Sequence, residues 1–131
     1  MRWAAARRRG EAGAAIVDFV LVSVLVSVLF LAVFQVGVAL YIRNTIISCA
    51  SEGARFGARA DADPDDGAAR TRELIDASLS ARFAQDVSAE VEDAGGVQVV
   101  SVHVRAPLPV LGPFGPDSGF DLVGRAFLER Q

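Results

Sequence analysis

Asp61, Asp63 and Asp65 alternate along the chain and are followed by Gly67 and Glu73, the spacing in this sequence that comes nearest to ligand chemistry. Alternating carboxylates, a glycine and a glutamate six residues beyond it are how a calcium loop encloses its ion. The register fails by one residue, because Asp66 stands where the loop needs glycine and Arg72 where it needs the closing carboxylate. The segment therefore reads as a solvated acidic turn. His103 and Cys49 are the only residues of their types and fall on different expected elements, so no nucleophile and base pair can be assembled from them. No enzymatic activity is expected. His103 sits on the polar phase of its strand and is expected to be exposed or edge-facing. Cys49 has no partner for an intrachain disulfide and reads as a small packing residue. Neither a metal-ligand cluster nor a phosphate-binding glycine loop can be read from the spacing, and no cofactor is expected.

The elements that would position these residues begin with a membrane helix. Of the 131 residues, 52% are hydrophobic, and the excess is concentrated between Phe19 and Ile42, twenty-four positions without a charge. As a helix this run is about 36 Å long, against a hydrocarbon layer of roughly 30 Å. It is too long for the apolar region of a secretory signal peptide. Ile46-Ile47-Ser48-Cys49 has the look of a lipobox, but Arg43 and Asn44 separate it from the apolar run. Arg2, Arg7, Arg8 and Arg9 precede the run, whereas the segment from Arg43 onward has nine arginines against fourteen acids. By the positive-inside rule this predicts a cytoplasmic N-terminus and an acidic extracytoplasmic C-terminal part. Nucleic acid is not an expected partner; the lipid bilayer is.

Ser23, Ser27, Phe30, Phe34, Gly37 and Tyr41 fall on one helix face. Small and polar residues there could seat a partner helix, or the serines could bond back to their own turn. No helix breaker follows Ile42 until Asp63-Pro64, so the helix is expected to run on to about Arg59 as a stem. In that stem Ala50, Gly53, Ala54 and Gly57 make a strip of small residues flanked by Glu52 and Arg55. Such a strip permits close approach of a sheet or of another helix.

Gly13-Ala14-Ala15-Ile16-Val17-Asp18-Phe19, the apolar helix, and then Ala50-Ser51-Glu52-Gly53-Ala54-Arg55-Phe56-Gly57-Ala58 resemble the TadE-like family, pilin-like minor components of tight-adherence (Flp-type) pilus systems. The resemblance covers the first sixty residues. It implies prepilin-type cleavage after Gly13, leaving Ala14 as the mature N-terminus and Asp18 as the fifth residue. There Asp18, in place of the family's glutamate, would pair with the terminal ammonium of a neighbouring subunit; otherwise it sits at the inner membrane interface. The resemblance also implies a bacterial plasma-membrane location, with TadE- and TadF-like subunits, the Flp major pilin and the inner-membrane Tad platform as partners.

Beyond the acidic linker at 60–67, Asp66 is expected to cap a helix over Gly67 to Ala84, with Leu74, Ile75, Leu79 and Phe83 facing inward. Strands are expected over Val87–Glu92, around Val100, Val102 and Val104, and from Leu122 to Glu129, with a turn at Gly95-Gly96 and a proline- and glycine-rich loop from Pro107 to Gly119. The fold class is α+β: a long N-terminal transmembrane and stem helix, a small antiparallel sheet and one additional helix, as in pilins. Two functions follow, a minor pilin-like subunit contributing to pilus biogenesis and adhesion, or a membrane-tethered binding module whose proline-glycine loop meets an envelope ligand.

Overall fold

The computed structural model describes residues 3–108 and 119–129, with side chains from Glu11 onward. Helix α1 (Trp3–Gly57) is followed by α2 (Pro64–Ser78), a single 3-10 turn at Ala81–Phe83, and strands β1 (Asp86–Asp93), β2 (Gln98–Ala106) and β3 (Phe120–Phe127). The architecture is α+β with one three-stranded antiparallel sheet in the order β1-β2-β3. Most of the expected loop from Pro107 to Gly119 lies outside the described residues. The chain divides into two compact units, Met1–Gly37 and Val38–Gln131.

The described residues of the first unit are all helical. Ile16, Phe19, Leu21, Leu25, Leu29 and Phe30 are between 63% and 73% exposed. In water each would forgo about 1.5–3 kcal/mol of burial, so this surface belongs in lipid or against other apolar helices. The helix is long and apolar enough to cross a membrane, with a mean hydropathy of 2.9 in its most apolar stretch. The hydroxyl of Ser27 donates to the carbonyl of Ser23 at 2.7 Å, so this polar group is satisfied within its own turn.

In the second unit the last twenty residues of α1 change character. Ile42, Ile46, Cys49, Ala50 and Ala54 recur at helical spacing and are buried with Ile75, Phe83, Val87, Val102, Val104 and Leu122 in one core. The sheet supplies its inner face by alternation. Val87, Ala89 and Val91 pair with Val104, Val102 and Val100, which in turn face Leu122, Gly124 and Ala126 across the next ladder. A Cβ on Gly124 would lie 2.6 Å from the carbonyl oxygen of Ala50. Only a glycine lets the α1 backbone lie directly on β3 at that point.

Helix α2 begins a turn earlier than the sequence suggested. Asp63, not Asp66, is the N-cap, and Pro64 takes a first-turn position where its missing N–H and fixed φ carry no penalty. Asp66 is the third helical residue, and its carboxylate accepts the Asp63 backbone N–H at 2.9 Å. The Asp-Pro-Asp-Asp run is thus a helix start rather than a linker. The helix also ends sooner, at Ser78, because the backbone of Leu79 leaves helical geometry. The following 3-10 turn brings Phe83 back into the core at 4% exposure. The hairpin between β1 and β2 turns through Gly95 and Gly96, both at positive φ.

Candidate functional site

The small-residue strip meets neighbours within its own unit. Gly53, Ala54 and Gly57 are buried where α1 crosses the start of α2. A Cβ on Gly53 would stand 2.5 Å from the carbonyl oxygen of Gly67, and one on Gly67 would stand 2.6 Å from the carbonyl oxygen of Gly53. Thr71, fully buried at this crossing, donates its hydroxyl to Gly67 O at 2.9 Å, which removes the cost of an orphan polar group. Ala50 carries the neighbouring contact with β3. The close approach permitted by the strip is thus made by a helix and a sheet of the same chain, and the strip presents no open surface there. Glu52 and Arg55, flanking it, are exposed. Next to them Arg59 lies over the Phe56 ring at 5.5 Å and pairs with Asp61 at 3.4 Å.

Gly13, Ala14 and Asp18 are exposed within α1, and nothing lies within 4 Å of a Cβ built on Gly13. Asp18 has no ion-pair partner among the described residues. Ser23 and Ser27 floor a shallow depression bordered by Phe19, Val20, Val24 and Leu31. Phe30 and Phe34 stack at 6.4 Å between centroids. Cys49 points into the core and is 7% exposed. Of the three alternating aspartates, Asp61 is paired with an arginine and Asp63 is the N-cap residue of α2, so these two groups have structural roles within the chain.

One constellation on the open face of the sheet was not legible in the sequence. Glu90 and Glu92 on β1 and His103 on β2 bring a ligand atom each within 4.8 Å of one another. His103 Nε2 lies 3.2 Å from Glu90 Oε1 and 3.6 Å from Glu92 Oε1. The other oxygen of Glu92 accepts the Ser101 hydroxyl at 2.6 Å and faces Arg125 Nε at 3.4 Å. The Ser101 hydrogen bond, opposed by partial desolvation and reinforced by the charges of Arg125 and His103, holds the Glu92 carboxyl below the ordinary glutamate value of 4.5. Ser101 is itself fully buried beneath these longer side chains. The signal in the sequence was the i, i+2 spacing of Glu90 and Glu92, which puts both on one face. What was missing was the register, Ser88 opposite His103 and Glu90 opposite Ser101, which selects the histidine they meet.

The family description "TadE-like protein" matches residues 13–55, the stretch from the glycine of the proposed cleavage site to the small-residue strip. The match ends before α2 and the sheet. No curated protein and no solved structure matches the chain.

Proposed function

We propose, with a TadE-like stem as the premise, that this protein is a membrane-anchored, Tad-pilus-associated subunit of the minor pilin type, active in pilus biogenesis and adhesion through assembly rather than catalysis. The observation that carries the proposal is the coincidence of the family match with a single helix of two characters. From Ile16 to Gly37 that helix exposes apolar side chains all round, and from Val38 it contributes to the core of a folded unit. A plain anchor needs only the first property.

In this reading the helix crosses the bacterial plasma membrane with its arginine-rich end in the cytoplasm, and the α+β unit is extracytoplasmic. The Gly13–Ala14 bond lies within α1, and the glycine lowers the cost of unwinding there by about 1 kcal/mol relative to alanine. Cleavage at that bond leaves Asp18 at the fifth position of the mature chain, where it offers an anion to a neighbouring subunit's terminus. The depression at Ser23 and Ser27 offers small side chains on which a helix from a TadE- or TadF-like subunit, the Flp pilin or the platform can pack.

The proposal is tested by deleting the gene and counting surface filaments. Loss of filaments, restored by the full chain but not by the α+β unit secreted without its helix, is the expected result. Normal filaments in the deletion strain would reject the pilus role.

A further inference from the structure

The open face of the sheet holds a group of side chains to which the proposed function assigns no role. His103 Nε2 is completely shielded from solvent and has no hydrogen-bond partner, although the imidazole side chain as a whole is 30% exposed. A shielded ring nitrogen with no hydrogen-bond partner has lost the water it would otherwise bind, and native structures seldom leave such an atom without one. Carboxylate oxygens of Glu90 and Glu92 lie within ion-pair distance of it, at 3.2 and 3.6 Å, without the geometry of a hydrogen bond to either. A single Nε2–H could in any case serve only one of them.

We propose that Glu90, Glu92 and His103 form a binding site for a divalent cation of the zinc class, clamping β1 to β2. The donor set is one imidazole nitrogen and two carboxylates, which suits a borderline cation that accepts both nitrogen and oxygen. Ligands about 2.1 Å from a tetrahedral zinc are about 3.4 Å from each other. The two separations from His103 Nε2, 3.2 and 3.6 Å, bracket that edge. Two carboxylates against the Arg125 guanidinium leave the cluster with a neutral imidazole at a net charge of −1, which attracts a cation. The site also has the outer support that metal ligands require. Ser101 and Arg125 hold the far oxygen of Glu92 and so turn its near oxygen toward the histidine. Three protein ligands leave a fourth position for water.

The probe is zinc chloride, titrated by calorimetry into the full chain in detergent after the chelator has been removed. One equivalent is expected to bind, and cobalt at the same site is expected to give the visible absorption of a nitrogen- and oxygen-bound ion. His103→Ala and, separately, the near-isosteric Glu90→Gln are each expected to weaken binding by at least about tenfold. Zinc is expected to raise the melting temperature of the wild type but not of either variant. Asp61→Asn combined with Asp65→Asn, which removes charge from the acidic segment before α2, is expected to leave affinity unchanged. Glu90 lies exposed on an outer strand, so its variant tests the site even if His103→Ala fails to fold. Absence of saturable zinc binding by the wild type would overturn the proposal. So would binding that survives both single substitutions, or that disappears with the two aspartates.

Discussion

At Gly53 a single methyl group decides whether α1 and α2 can touch, since it would run into the Thr71 side chain and the backbone of Gly67. Gly53→Ala is expected to destabilise the second unit by about 1–3 kcal/mol, the usual range for overpacking, although alanine favours helix more than glycine does. Thermal melting and protease resistance of the full chain in detergent would measure this. Gly37→Ala is the contrast, because nothing lies within 4 Å of the added carbon, and it is expected to leave the melting temperature unchanged or slightly raised. Cys49 makes a related point. Its thiol belongs to the core, so on the folded protein it is expected to react with a maleimide far more slowly than a cysteine introduced at the exposed Ala77. Equal rates for the two would contradict the packing of α1 on the sheet. The strip at 50–57 was visible in the sequence as a run of small residues, but its occupant was not. Small side chains encode close approach, and only the long-range return of Gly67 and Gly124 identifies what approaches.

Among the elements, α2 is the one whose start depends on a few nameable groups. Asp66→Ala removes the acceptor of the Asp63 N–H and an anion from the positive end of the helix. A loss of about 0.5–2 kcal/mol is expected, read by circular dichroism melting, and Asp65→Ala should cost less because it removes only the charge. A larger effect from Asp65 would show that the capping geometry has been misassigned. The strands were largely legible because valines at 100, 102 and 104 alternate with serine, histidine and arginine, a period of two that half-burial imposes. The ends of α2 were misjudged. Asp-Pro reads equally as a turn and as an N-cap followed by a first helical residue, and no glycine or proline in the sequence marks the break at Leu79. The cluster of Glu90, Glu92 and His103 depends on strand pairing, which alternation alone does not determine.

For the whole molecule, the division at Gly37 sets the account. Among the described residues, the apolar side chains of the first unit are exposed, and the second unit has a core of its own. Membrane insertion and folding are therefore separable. Ile46→Ala, which empties a fully buried site, is expected to cost about 2–5 kcal/mol and make the second unit protease-sensitive while the chain still fractionates with membranes. Release into the soluble fraction would contradict the separation. Processing belongs to the same scale: in cells with a prepilin peptidase, mass spectrometry should find a chain beginning at Ala14, and an intact leader would remove that part of the proposal. The central claim is that the exposed apolar helix is an assembly surface and not only a tether. It is tested most directly by placing the photo-crosslinking residue benzoylphenylalanine at successive positions from Val20 to Phe34 in cells that make the filament. Light-dependent adducts to other pilin-like subunits, strongest near Ser23 and Ser27 and weak on the opposite face, are the predicted result. An inserted, folded protein that forms no protein adduct at any of these positions would contradict it.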